Sequence, residues 1–253
     1  MRCRTRSDAA AARMVVLLTA AVASGAGCFA HSAPDQVGAR SADESAAVAA
    51  GPIAGDDELA RRYLDTAAAL RARGAEALTA SLDFGILRRG YVHALAAHPD
   101  LAVPEQLRRR LGDAIDDNNP AEVLRAAHAI LEHDFTDTRA HVVGALVLEQ
   151  TGRAASAHFH RVIAAGLFAS MKLSGDGLAP ASAYVVYQLK EEFELLRVLA
   201  LAPIRQRSVA DGARLYDQLR ASDVNDPAAP CVTLYFDISE LPGSERLLAA
   251  SDP

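Results

Sequence analysis

The apolar positions of the chain recur first with a helical period and then, beyond residue 177, with a period of two. Leu59, Tyr63, Ala67 and Leu70 fall on one face of a helix beginning at Asp56. Phe84, Leu87, Tyr91 and Leu95 repeat the pattern after Ser81, until His98-Pro99-Asp100 stops it. Pro104 opens a third helix, with Leu107, Leu111, Ala114 and Ile115 on one side. Asn119-Pro120-Ala121-Glu122 reads as a helix start: an Asn cap, Pro at the first helical position and Glu completing a capping box. Leu124, Ala127 and Leu131 continue that helix. Thr136 or Asp137 caps a fifth, through Val143, Leu146, Val147 and Gln150. A long sixth helix follows Thr151-Gly152, through Ala155, Phe159, Val162, Gly166 and Ala169.

The turns at Asn119 and Gly152 lie 33 residues apart. Each joins two helices, with small residues (Ala126-Ala127, Ala154-Ala155) placed for close packing. That period and shape resemble a tetratricopeptide pair.

Past Gly177, "AYVVYQL" at 183–189 reads as a strand of β-branched and aromatic residues. "EEFELLRVLAL" at 191–201 reads as a helix stopped before Pro203, and 204–209 and 215–221 as further strands. In "CVTLYFDIS" at 231–239, Val232, Leu234, Phe236 and Ile238 face one way and Thr233, Tyr235 and Asp237 the other. The expected class is α+β: tetratricopeptide-like antiparallel helical hairpins over 56–174, then a small, mostly antiparallel sheet with one packed helix over 175–253, seated on the last helix.

The first 27 residues read as a lipoprotein-like signal peptide. Arg2, Arg4, Arg6 and Arg13 precede "MVVLLTAAVA", an apolar core of 10 residues, half of the ~20 that span a bilayer. Gly25-Ala26-Gly27-Cys28 resembles a lipobox, with Gly25 where Leu is usual, and makes Cys28 the candidate lipidation site; ordinary cleavage near Ala30 is the alternative. Residues 28–55 are rich in Ala, Ser, Gly and Asp and read as a flexible tether. The expected address is the bacterial cell envelope, membrane-anchored or periplasmic. With Cys3 removed and Cys28 acylated, Cys231 has no internal disulfide partner.

Composition narrows the function more than the fold. Half the chain is hydrophobic (51%), dominated by Ala with no Trp, which suits packed helices. The net charge is −6; losing four Arg and one Asp with the signal makes it −9. This balance argues against nucleic acid as a partner, because phosphate contacts need clustered Lys and Arg. Arg108-Arg109-Arg110 reads as a solvated helix face.

Several short motifs, in order, resemble the bacterial family called domain of unknown function 4919: "GLFASMKLSGDGLAPASAYVVYQLKEEFELLRVLAL" at 166–201, "LYDQL" at 215–219 and "TLYFDIS" at 233–239. "SLDFGILRRGY" at 81–91 looks like the family's N-terminal helix. The resemblance covers roughly 80–240 and implies a helical half joined to a small sheet through a Ser-Gly-Asp-Gly turn. Phe193 stands where the family often has Tyr. No activity comes with the resemblance.

The turn at Ser174, Gly175, Asp176 and Gly177 is the seam of the two halves. Phosphate loops run from strand to helix and carry Lys; this one runs from helix to strand without it. A calcium loop needs several oxygen ligands, and Asp176 supplies one. A helix C-cap is the expected role, with Gly175 left-handed, Asp176 bonding a neighbouring N–H and Gly177 permitting close approach. His158 and His160 point apart on one helix, as do His128 and His133, so no local metal chelate is expected, and the five His between 128 and 160 read as surface or groove residues. Glu191 and Glu192 are expected to favour the positive end of the helix they open. Cys231 reads as an inert thiol. No nucleotide, flavin or haem fingerprint is present, and no cofactor is expected. The expected function is a non-catalytic module binding an unknown protein or peptide, held at the membrane if Cys28 is acylated. The alternative is a hydrolase-like enzyme with an acidic site at the helical/sheet junction, using Asp176, Glu192 and Asp237.

Overall fold

The computed structural model describes residues 55–79 and 81–244. The expected signal peptide, Cys28 and nearly all of the tether lie outside the described residues. Six helices come first: α1 Asp56–Arg73, α2 Phe84–Ala97, α3 Glu105–Asp116, α4 Pro120–His133, α5 Thr138–Gln150 and α6 Ala154–Lys172. They pack as consecutive antiparallel pairs, and α6 meets both α5 and α2. Then come β1 Tyr184–Val185, α7 Leu189–Val198, β2 Leu201–Asp211, β3 Arg214–Asp223 and β4 Val232–Asp237. The sheet order is β1-β4-β3-β2, with β1 parallel to β4 and the other pairings antiparallel. The α+β architecture stands.

The helix starts follow their sequence signals. Asp83, two residues beyond Ser81, caps α2 by accepting from Ile86 N at 3.0 Å. Asn119 caps α4 through Glu122 N at 3.2 Å. The reciprocal half of the capping box does not form, because Glu122 turns to Arg110 and Arg125. Asp137, rather than Thr136, caps α5 through Ala140 N at 2.9 Å.

The α6 stripe departs from its expected face. The buried residues are Ala157, His160, Ile163, Ala164, Leu167, Phe168 and Met171, while Ala154, Ala155 and Ala169 are exposed. Two partners, α5 and α2, rotate and widen the covered face. Gly166 lies so near the Phe84 ring that a Cβ would sit 2.2 Å from it.

Three apolar clusters form the core. One joins α1, α2 and α6 around Tyr63, Leu70, Leu87, Tyr91 and Leu167. A second joins α3, α4 and α5 around Leu111, Ile130 and Val147. The third seats the sheet on α6 and α7, with Phe168, Met171, Leu195, Leu219, Leu234 and Phe236. Each fully buried Leu or Phe contributes about 1.5–3 kcal/mol.

The second half is less regular than its sequence suggests. The expected strand at 183–189 pairs over Tyr184–Val185 only. Tyr187 N donates to the Glu191 carboxylate at 2.8 Å instead of to a neighbouring strand. Helix α7 accordingly starts at Leu189 and ends at Val198, and Ala200 turns the chain with φ 55°. Pro203 lies within β2, at the register shift between Pro203 and Arg205, where a missing N–H is tolerated. Asp237, assigned by alternation to the polar face of β4, is buried beneath its bonds to Arg214 and Ser239.

Candidate functional site

The Ser174–Gly177 turn closes on itself. Ser174 Oγ donates to Met171 O at 2.5 Å and accepts from Val185 N at 2.8 Å. Asp176 N and Gly177 N both donate to Ser182 O, at 3.1 and 2.8 Å. Asp176 Oδ1 accepts from Ser182 Oγ at 2.6 Å and from Leu178 N at 2.9 Å, and these bonds lower its pKa. Gly177 O takes Tyr235 N at 2.8 Å, stitching the turn to β4.

Gly177 permits close approach as expected, to the Tyr184 ring, but the left-handed conformation expected of Gly175 also falls to it, with φ 71°. Gly175 makes a close approach of its own, since a Cβ there would lie 2.2 Å from Ser182 O. Leu173, not Gly175, is the C-cap of α6.

The three candidate carboxylates do not converge. Asp176 is exposed and committed to Ser182 and Leu178. Asp237 accepts from Arg214 Nη1 at 2.6 Å and from Ser239 N at 3.0 Å. It stands opposite Tyr216, whereas Asp217 stands opposite Phe236, so Asp237 and Asp217 project from opposite faces of the sheet. Glu192 is fully buried on the inner face beside Asp217. Burial, reinforced by Asp217, pushes the Glu192 carboxyl up to about 9, so it is a neutral acid at pH 7. Gln206 Nε2 lies 3.3 Å from Glu192 Oε2 and 2.5 Å from Asp217 Oδ2, and Ser208 Oγ donates to Asp217 Oδ1 at 2.6 Å. Two side chains of β2 thus cover this carboxyl pair.

Glu191 and Glu192 lie in the first turn of α7, as expected, but both are buried against other elements. Lys190, Glu191 and Glu192 reach three different elements. Lys190 Nζ donates to Asp134 and, at 2.9 Å, to Asp137. Burial opposes ionisation of Asp137, but the Lys190 ammonium outweighs it and holds the carboxyl well below its usual range. Glu191 holds Arg88 of α2, and Glu192 meets Asp217 of β3.

A histidine pair was hidden in the sequence. His141 Nε2 lies 3.0 Å from Phe135 O, and His141 Nδ1 lies 2.9 Å from His160 Nδ1. A carbonyl only accepts, so His141 carries its proton on Nε2. Its Nδ1 then accepts from Nδ1–H of His160, which leaves His160 Nε2 as a lone pair. Burial, then the His160 ring, depresses His141 to about 3; burial, then the His128 ring, depresses His160 to about 4. His141 is fully buried, against the surface or groove place expected of it, whereas His160 lines a groove, as expected. The sequence signal was symmetry: His141 and His160 are nearly equidistant from the Thr151-Gly152 turn, hence face each other across the α5/α6 hairpin.

His160 opens onto a groove of about 420 Å³ between the end of α1, α4 and the start of α6. Leu70, Leu131, Phe135 and Phe159 supply apolar wall, and His128, Arg71 and Arg153 supply polar rim. Arg71 is itself anchored, donating to Leu131 O at 2.8 Å and Glu132 O at 3.1 Å. Among the described residues, no group of three or more His, Cys, Asp or Glu could hold a metal ion, and no helix is long and apolar enough to cross a membrane.

A layer of antiparallel helix pairs locked to a four-stranded sheet, with a groove at the helix ends, defines the class. The chain belongs to the family described as domain of unknown function DUF4919, whose profile matches residues 70–245. No curated protein and no solved structure matches it.

Proposed function

We propose that this chain is an exported, envelope-located binding module, anchored through Cys28, whose helical layer takes a peptide segment of a partner protein. The observation that carries the reading is the groove between α1, α4 and α6. Its volume lies within the ~300–1,000 Å³ of ligand pockets, and it pairs apolar wall with few polar groups, as such sites do. His160, whose Nε2 keeps a lone pair suited to a backbone N–H, is among its lining residues. The hydrolase-like alternative would rest on Asp176, Glu192 and Asp237, and these serve three separate bond networks.

A random peptide library panned against the full-length protein tests the groove. Ser156, exposed on its rim, is replaced by Trp to fill it without touching the core. Enriched peptides are expected to lose binding to Ser156→Trp; peptides that bind both proteins equally would remove the groove from the account. Fractionation of cells making Cys28→Ser tests the anchor, and continued membrane partitioning of that variant rules lipidation out.

A further inference from the structure

The face of the sheet turned away from the helices carries three arginines. Leu219, Leu234 and Phe236 point into the core, so the alternate positions Gln218, Arg220, Thr233 and Tyr235 point outward. In register, Arg205 stands opposite Arg220 and Arg220 opposite Thr233. In the adjoining row, Arg207 stands opposite Gln218 and Gln218 opposite Tyr235. Arg205, Arg207, Gln218, Arg220 and Thr233 line a shallow pocket of about 190 Å³.

The second row is hydrogen-bonded throughout. Arg207 Nε donates to Gln218 Oε1, and Gln218 Nε2 donates to the Tyr235 hydroxyl at 2.6 Å. This spends the amide's acceptor on arginine and leaves the phenolic proton free. The guanidinium groups of Arg205 and Arg220 make no hydrogen bond or ion pair among the described residues, and Arg207 pairs with no described carboxylate. The pocket therefore offers hydrogen-bond donors with no anion among the described residues to meet them, on a chain of net charge −6.

Like charges directly opposite on neighbouring strands destabilise a sheet. Charged side chains protect edge strands, which accounts for Arg205 and Arg207 on the edge strand β2. That need does not extend to Arg220, because β3 is paired on both sides.

We propose that this face is a binding site for a phosphomonoester group, gripped by Arg205, Arg207 and Arg220 with the Thr233 hydroxyl. A carboxylate has two oxygens and one charge. A phosphoryl group has three acceptor oxygens and a charge near −2, which matches three guanidinium forks. The pocket is smaller than the ~300 Å³ at which small-molecule sites begin. It takes the phosphoryl group itself, and whatever carries that group projects into solvent. The carrier is a soluble ester or a lipid headgroup. The site is remote from the peptide groove and stands or falls independently of it.

Calorimetric titration of the full-length protein with glycerol 3-phosphate, and sedimentation with vesicles of phosphatidic acid against the phosphodiester phosphatidylglycerol as control, test the site. Arg220→Gln is expected to weaken binding about tenfold or more, the scale of a lost charge-assisted bond. Arg109→Gln makes the same charge change on α3 and is expected to leave binding intact. Arg220 is exposed, so its variant is expected to keep the wild-type circular dichroism and Tm. Arg220-dependent binding of the soluble ester assigns a free ligand. Arg220-dependent binding to phosphatidic acid vesicles alone assigns a headgroup. Absence of both, or equal weakening by Arg220→Gln and Arg109→Gln, overturns the proposal.

Discussion

Arg88 and Glu191, 103 residues apart, form a buried bidentate pair, with Nε 2.9 Å from Oε1 and Nη2 2.7 Å from Oε2. Arg88 also donates to Val185 O at 2.9 Å, and its guanidinium lies 5.1 Å from the centre of the Tyr187 ring. One side chain of α2 thus fixes β1, the β1–α7 connection and the start of α7. With Lys190 and Glu192 on either side of Glu191, the first turn of α7 binds the α4–α5 connection, α2 and β3 together. The helical half and the sheet half are one interlocked body at this point.

Arg88→Met is expected to cost about 3–5 kcal/mol, because it strands the Glu191 charge in the interior. Arg88→Met with Glu191→Leu is expected to recover most of that loss, since an apolar pair of similar volume avoids the desolvation cost. Urea unfolding of the two single variants and the double variant measures the coupling. Losses that add without recovery would show that the pair is not the tie.

Glu192 gives stability a pH dependence of known sign. Its carboxyl holds a proton to about pH 9 in the folded chain, against an ordinary carboxyl value of 4.5. Between these limits the folded state binds more protons than the unfolded one, so stability falls as pH rises. The slope is at most about 1.4 kcal/mol per pH unit. Glu192→Gln cannot ionise and keeps a donor for Asp217. It is expected to flatten the profile between pH 7 and 9, with a gain over wild type that grows with pH. Urea midpoints at pH 5, 7 and 9 read this directly.

The histidine pair acts in the opposite direction. Both rings stay neutral in the folded chain down to about pH 4, whereas unfolded His protonates near 6.5. Within that window the unfolded state binds more protons, so stability is lost as pH falls below about 6.5. Long-range ¹H–¹⁵N correlation at pH 7 is expected to show His141 protonated on Nε2 and His160 on Nδ1. The reverse assignment for His160 would close the groove's acceptor.

What the sequence revealed and what it concealed divide along physical lines. Helices α1 to α4 were legible because each buries one stripe, and Asn119 and Asp137 cap their helices through their own side chains. The α6 stripe was misread because two neighbours cover it. The roles of Lys190, Glu191 and Glu192 were hidden because a run of charges looks solvated until partners 25 to 103 residues away close over it. Strand β1 was overextended because the Glu191 carboxylate takes Tyr187 N, a tertiary bond that local preference does not register. The three arginines were invisible as a group because Arg220 meets Arg205 only through the register of the β2/β3 hairpin.

The Ser174–Gly177 turn separates backbone demands from side-chain ones. A Cβ on Gly177 would sit 2.4 Å from the Tyr184 ring at φ 71°, a backbone that L-residues rarely adopt. Gly177→Ala is expected to cost roughly 2 kcal/mol or more, combining the strained φ with displacement of a buried ring. Asp176→Asn keeps an acceptor for Ser182 Oγ and Leu178 N, so it is expected to leave Tm nearly unchanged, whereas Asp176→Ala removes both bonds and lowers it. Thermal melts of the three variants rank Gly177→Ala below Asp176→Ala, and Asp176→Ala below Asp176→Asn. A loss of partner binding in Asp176→Asn at unchanged Tm would give the turn a role beyond joining helix to strand.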